Sequence, residues 1–127
     1  MNKNAIITLA DSNYFDLLIE LISSIKKFPE SSGVEICILD AGLTTEQIQI
    51  LKKKVYKIKK ANWDIEVPFF KTIGKEWLKS QVSRAFLPNY FPEFEKYLWV
   101  DCDAWVNSWD CIKLYFEGCN NGKLAIT

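Results

Sequence analysis

Residues 5–10 read Ala5-Ile6-Ile7-Thr8-Leu9-Ala10, and Asp11-Ser12-Asn13 follows directly. An unbroken apolar and β-branched run of this length predicts a strand buried on both faces. Asp11 or Ser12 can cap a helix. Phe15, Leu18, Ile19, Ile22 and Ile25 then recur at spacings of three and four. That spacing predicts an amphipathic helix to about Lys27, with Lys26 and Lys27 suited to its C-terminal end. One buried strand feeding one amphipathic helix is the start of a β-α-β unit, and the rest of the chain repeats it.

Pro29 and Ser31-Ser32-Gly33 break the chain. Val34-Glu35-Ile36-Cys37-Ile38-Leu39-Asp40 reads as a second strand, and Ala41-Gly42 turns it. Thr44 with Gln47 forms a capping box. Ile48, Leu51, Val55 and Ile58 mark a second helix, whose lysines (Lys52, Lys53, Lys54, Lys57, Lys59 and Lys60) predict a solvated outer face. Asp64 to Val67 alternates as a third strand near an edge, with Pro68 after it. A third helix is expected from about Lys75 to Leu87, ended by Pro88 and Pro92. Tyr97-Leu98-Trp99-Val100 is a fourth strand. Trp109 to Phe116 predicts a short helix capped by Ser108, and Lys123 to Thr127 begins a last strand. Strands alternating with helices imply an α/β fold: a mostly parallel sheet with helices on both faces. Residues 1–127 read as one domain, with no repeat or linker.

Composition narrows the function. The 127 residues are 49% hydrophobic, and 16 Lys and Arg balance 16 Asp and Glu. Such a chain folds rather than staying disordered, and zero net charge argues against a nucleic-acid partner. No apolar run nears the ~20 residues of a transmembrane helix. Asp11, directly behind the short apolar stretch, does not suit a secretory signal. No histidine is present, which excludes histidine-based zinc sites, Ser-His-Asp triads and Cys-His dyads within these residues. Cys37, Cys102, Cys111 and Cys119 form no C-x-x-C pair, so reduced thiols in a cytoplasm are expected.

Ligands of parallel α/β sheets bind outside the carboxyl ends of the strands. That rule selects Asp11, Asp40 and the Asp101-Cys102-Asp103 segment. On an extended strand Asp101 and Asp103 would point to the same side. Two carboxylates so close repel each other, and a hard divalent cation offsets that repulsion. Magnesium-like ions complete such a shell with water and substrate phosphates, so the pair predicts a metal–diphosphate site. Each residue also has a plainer use: Asp11 as a cap, Asp40 as a turn residue, Asn13 and Tyr14 in a first helical turn, Arg84 on a helix surface. Neither G-x-G-x-x-G nor G-x-x-x-x-G-K-[ST] occurs, which disfavours a dinucleotide-binding Rossmann domain and a P-loop. A haloacid-dehalogenase-like phosphatase, with Asp101 as nucleophile, is an alternative. Against it stand Trp105, where that family carries Thr or Val, and the motif's distance from the N-terminus.

Leu9-Ala10-Asp11-Ser12-Asn13-Tyr14, Ile38-Leu39-Asp40-Ala41-Gly42-Leu43, Arg84 and Tyr97-Leu98-Trp99-Val100-Asp101-Cys102-Asp103, in that order, resemble the N-terminal half of the retaining glycosyltransferases of family 8. That family includes glycogenin and the bacterial lipopolysaccharide galactosyl- and glucosyltransferases; the bacterial branch is the nearer. The resemblance implies a GT-A (Rossmann-like) fold, a UDP-sugar donor, a glycan or lipid-linked saccharide acceptor, and Mn2+ or Mg2+. Carried over, Leu9, Ala10, Asp11 and Asn13 line the uridine pocket and Tyr14 stacks at the uracil. Arg84 sits near the diphosphate or sugar. Asp103 ligates the metal. Asp101 binds the metal and approaches the ribose, and Cys102 offers backbone to the ribose. Ala104-Trp105-Val106 departs from the family's aliphatic pattern. Family domains run to roughly twice this length, and their further half carries another metal ligand, usually His, with most acceptor contacts. The expectation is therefore a truncated chain, with self-association at an unfinished sheet edge. In the full-length enzyme the expected location is cytoplasmic, peripheral at the inner membrane. A truncated, non-catalytic nucleotide-binding or interaction domain is the alternative.

Overall fold

The computed structural model describes residues 2–62 and 86–120. Four strands form one all-parallel sheet: β1 (Asn4–Ala10), β2 (Glu35–Asp40), β3 (Lys57–Lys60) and β4 (Lys96–Trp99), in the spatial order β3-β2-β1-β4. β1 is central. Ile7 stands beside Cys37 of β2 on one side and Trp99 of β4 on the other. This explains why β1 has no polar alternation: residues 5–10 are all buried, including Thr8.

Two cores follow from the pleat. Ile6 and Ala10 of β1, with Ile36 and Ile38 of β2, face helix α1 (Phe15–Lys26), helix α2 (Thr45–Lys52) and helix α4 (Trp109–Gly118). Leu18, Ile22 and Ile25 of the expected stripe are buried in α1, joined by Leu21, which the reading did not include, while Phe15 and Ile19 are partly buried against the same core. Ala5, Ile7 and Leu9, with Cys37 and Leu39, face the opposite way. They are covered by the short helix α3 (Leu87–Tyr90) and by Phe91 and Phe94. The caps read from sequence are present. Thr44 and Gln47 make a reciprocal capping box, and the Ser108 side chain accepts from the Asp110 amide.

Two readings are corrected. The second helix ends at Lys52 rather than continuing through Ile58, and residues 57–60 are a strand. The spacing of Val55 and Ile58 fits a helix, and both residues do pack on the α1 side of the core. But Tyr56-Lys57-Ile58-Lys59 also alternates, and the outer edge of β2 needs a partner. Cys37 to Asp40 pair with Lys57 to Lys60. Among the described residues β3 is the outermost strand, and its exposed Lys59 and Lys60 are charges of the kind that guard an edge, while Lys57 pairs with Glu93 at 2.7 Å. The second correction concerns Pro88. It sits in the first turn of α3, where a missing N–H costs nothing, so it lies inside a described helix rather than only following one. The expected strands at 64–67 and 123–127, and the expected helix as far as residue 85, lie outside the described residues.

Candidate active site

Because every strand is parallel, the ends of β1, β2 and β4 open on one edge of the sheet. Asp11 follows β1. Its Oδ1 accepts from the amides of Asn13 at 3.0 Å and Tyr14 at 3.2 Å, capping the 3-10 turn Ser12–Tyr14 that leads into α1. The capping role is real, yet it uses one oxygen. Among the described residues Oδ2 takes no hydrogen bond, so it can serve a ligand. Asp40 ends β2 and does the equivalent work there: its Oδ1 accepts from Gly42 at 2.8 Å and Leu43 at 2.6 Å.

The two loops are latched together. The Ala41 amide donates to the Ala10 carbonyl at 3.0 Å, and the Ser12 amide to the Gly42 carbonyl at 3.1 Å. Gly42 has φ of 138°, a backbone that favours glycine, and a Cβ there would lie 3.5 Å from the Asp11 Cβ. Gly42 therefore shapes the shoulder on which Asp11 stands.

β4 delivers the third group. The Val100 amide donates to the Ile7 carbonyl at 3.0 Å, the last rung before the chain leaves the sheet. Asp101 and Asp103 do not lie on an extended strand, as the same-side reading assumed. β4 ends at Trp99, and a turn follows, closed by the Ala104 amide on the Asp101 carbonyl at 3.0 Å. Both carboxylates are exposed. Asp101 is held by Trp99, whose indole Nε1 donates to Oδ1 at 2.9 Å. Trp99 is the residue that the motif reading missed. The two-residue spacing did not signal it, because β4 stops at Trp99 and Asp101 already stands in the turn.

Cys102, between the two carboxylates, turns inward against the α1-side core. Burial pushes its thiol up to about 11, and the negative charges of Asp103, Asp101 and Asp11 push the same way. The Cys102 thiol thus feels the charge of all three carboxylates. Among the described residues no three His, Cys, Asp or Glu side chains stand close enough to enclose a metal. Two exposed hard-oxygen donors without a third fit an open site, completed by water and a phosphate ligand, and do not fit a closed structural one.

The remaining sequence-selected residues divide. Tyr14, 45% exposed, and Asn13 stand in the turn beside Asp11. Leu9 and Ala10 are buried in the core, so only their backbone can meet a ligand. Arg84 lies outside the described residues. Among these residues no helix is long and apolar enough to cross a membrane.

A family model, that of glycosyl transferase family 8, matches residues 5–117, all of the chain but its first four and last ten residues. No curated protein matches the chain.

Proposed function

The chain belongs to glycosyl transferase family 8, and we propose that it is the nucleotide-sugar-binding part of a hexosyltransferase. Its donor is a UDP-sugar and its acceptor a glycan, of the lipopolysaccharide or lipid-linked kind. The four-stranded parallel sheet with its covering helices belongs to the GT-A fold of that family. The observation that carries the proposal is the gathering of Asp11, Tyr14, Asp101 and Asp103 at one sheet edge, in the turns that follow β1 and β4.

In this reading Asp11 Oδ2 and the Asn13 side chain bind the uracil, and the Tyr14 ring stacks on it. The backbone of Leu9, Ala10 and Cys102 borders the nucleoside. Asp101 and Asp103 hold Mn2+ or Mg2+ against the diphosphate, and Arg84 adds a fixed cation there. Bound so, the ion supplies Lewis-acid charge neutralisation to the UDP leaving group. Trp99 keeps Asp101 in the orientation this requires. Transfer with retention of anomeric configuration, a cytoplasmic setting and docking at a membrane belong to the same proposal and rest on the family alone.

The test is a calorimetric titration of the folded chain with UDP, with and without Mn2+, on the parent and on Asp103→Asn. The parent binds UDP more tightly with Mn2+. Asp103→Asn binds UDP equally in both conditions, having lost a charge-assisted contact. A variant that keeps the full manganese effect would remove Asp103 from the metal site. A folded parent that ignores UDP in manganese would sink the donor-site reading.

A further inference from the structure

At the other end of the sheet, where the strands begin, a cleft of about 550 Å3 opens between the C-terminal ends of α1 and α2. Lys26, Lys53 and Lys54 line it, with Glu35 as its one acidic member, and the rings of Phe28 and Tyr56 form part of its wall. None of the three lysines makes an ion pair among the described residues. Glu35 is already engaged, accepting from the Asn2 side chain at 3.1 Å.

Lysines at helix C-termini have a structural use: they offset the negative end of the helix dipole. Magnitudes show that this use does not exhaust them. Two helix ends present about one negative elementary charge together, as an upper value for helices this short. Glu35 brings one more. Three lysines exceed that total by about one positive charge. In a chain of zero net charge, this is a local surplus on a concave surface, and concave surfaces focus such a field. The walls matter as well. Tyr56 packs edge-on against Phe94 with the Lys57 ammonium 5.9 Å from its ring centroid, yet leaves 42% of its surface exposed, and an aromatic surface beside polar groups suits the C–H face of a sugar ring.

We infer that this cleft is a second binding site, for a saccharide carrying one anionic group such as a phosphate. It lies at the opposite end of the sheet from Asp101 and Asp103, so it does not compete with the donor. The anionic part of the inference stands on the charge surplus. The saccharide part rests on the proposed function, for a glycan-modifying chain could hold a remote part of its acceptor there.

The test is amide NMR of the 127-residue chain during titration with glucose 6-phosphate, with glucose and inorganic phosphate as controls. Saturable shifts are expected in residues 31–34 and 53–56. Glucose and phosphate should each bind about tenfold more weakly, since each lacks one class of contact. The exposed-site variant K53A/K54A, its fold verified by circular dichroism, should lose the shifts, and K26A, on a different element, should weaken them. Absence of saturation, or shifts that survive K53A/K54A, overturns the site. Equal binding of inorganic phosphate overturns the saccharide assignment. UDP with Mn2+ is added to the same samples. If UDP fails while the cleft titrates, the donor-site reading falls and the cleft stands; if the cleft fails while UDP binds, the reverse holds.

Discussion

The indole Nε1 of Trp99 and Oδ1 of Asp101 lie 2.9 Å apart, joining the last residue of β4 to the first carboxylate of the turn beyond it. This contact fixes a rotamer that an exposed aspartate would otherwise leave loose. Trp99→Phe keeps an aromatic ring on the second core and removes the donor. A hydrogen bond to a charged group is worth about 1.5–3 kcal/mol. Manganese-dependent UDP binding should therefore weaken by about tenfold, while circular dichroism stays that of the parent. Unchanged binding by calorimetry would show that Asp101 needs no such support.

Ser24 holds the segment just beyond that turn. Its Oγ donates to the Leu21 carbonyl at 2.7 Å and accepts from the Val106 amide at 3.0 Å, 82 residues along the chain. Ser24 and Val106 are both buried. Ser24→Ala leaves a buried amide without its partner, which costs about 1–3 kcal/mol. Urea unfolding should show that loss in the midpoint with an unchanged slope. A stability equal to the parent's would mean that water replaces the hydroxyl.

Gly42 should tolerate no side chain. The space is adequate, since a Cβ would meet Asp11 at an ordinary 3.5 Å. The backbone is the obstacle: φ of 138° is strained for alanine by about 1–3 kcal/mol. Gly42→Ala should destabilise by that order and weaken UDP binding through displacement of the Asp11 turn. Thermal unfolding and calorimetry measure the two effects separately. A variant as stable as the parent would show that the loop relaxes without cost.

Much of this arrangement was legible from local signals. The buried run 5–10, the stripe of α1, the Thr44–Gln47 box and the Ser108 cap each follow from residues close together in sequence, and each is present. The end of α2 was not legible, because Val55 and Ile58 satisfy a helical and an extended pattern alike. What decides is non-local: β2 lacks an outer partner, and Lys57–Lys60 supplies it. The site divides in the same way. Strand-end logic found Asp11, Asp40, Asp101 and Asp103. It could not foresee that β4 would stop at Trp99 and place the acidic pair in a turn, nor that Ser24 would reach Val106, because both depend on packing across the sheet.

The last prediction concerns alkaline pH. Burial pushes the Cys37 thiol up to about 12 and the Cys102 thiol up to about 11, both from 9.0. The folded state therefore favours the neutral thiol. Below the unfolded value both states hold these protons, and the stabilisation is complete. As pH rises above 9 the unfolded chain loses them first, so stability falls through the interval up to about 11 for Cys102 and about 12 for Cys37. The urea midpoint should decline across this window. Cys37→Ala, at a fully buried position on the second core, should lower stability at pH 8 through lost packing, yet flatten the alkaline slope. The same shifts make both thiols poor nucleophiles, so a disulfide reagent at pH 8 should label exposed Cys111 well before Cys102 or Cys37. A parent-like slope in Cys37→Ala would show that Cys37 does not carry the alkaline loss, and rapid labelling of Cys102 would show that the carboxylate edge is more open to solvent than its packing requires.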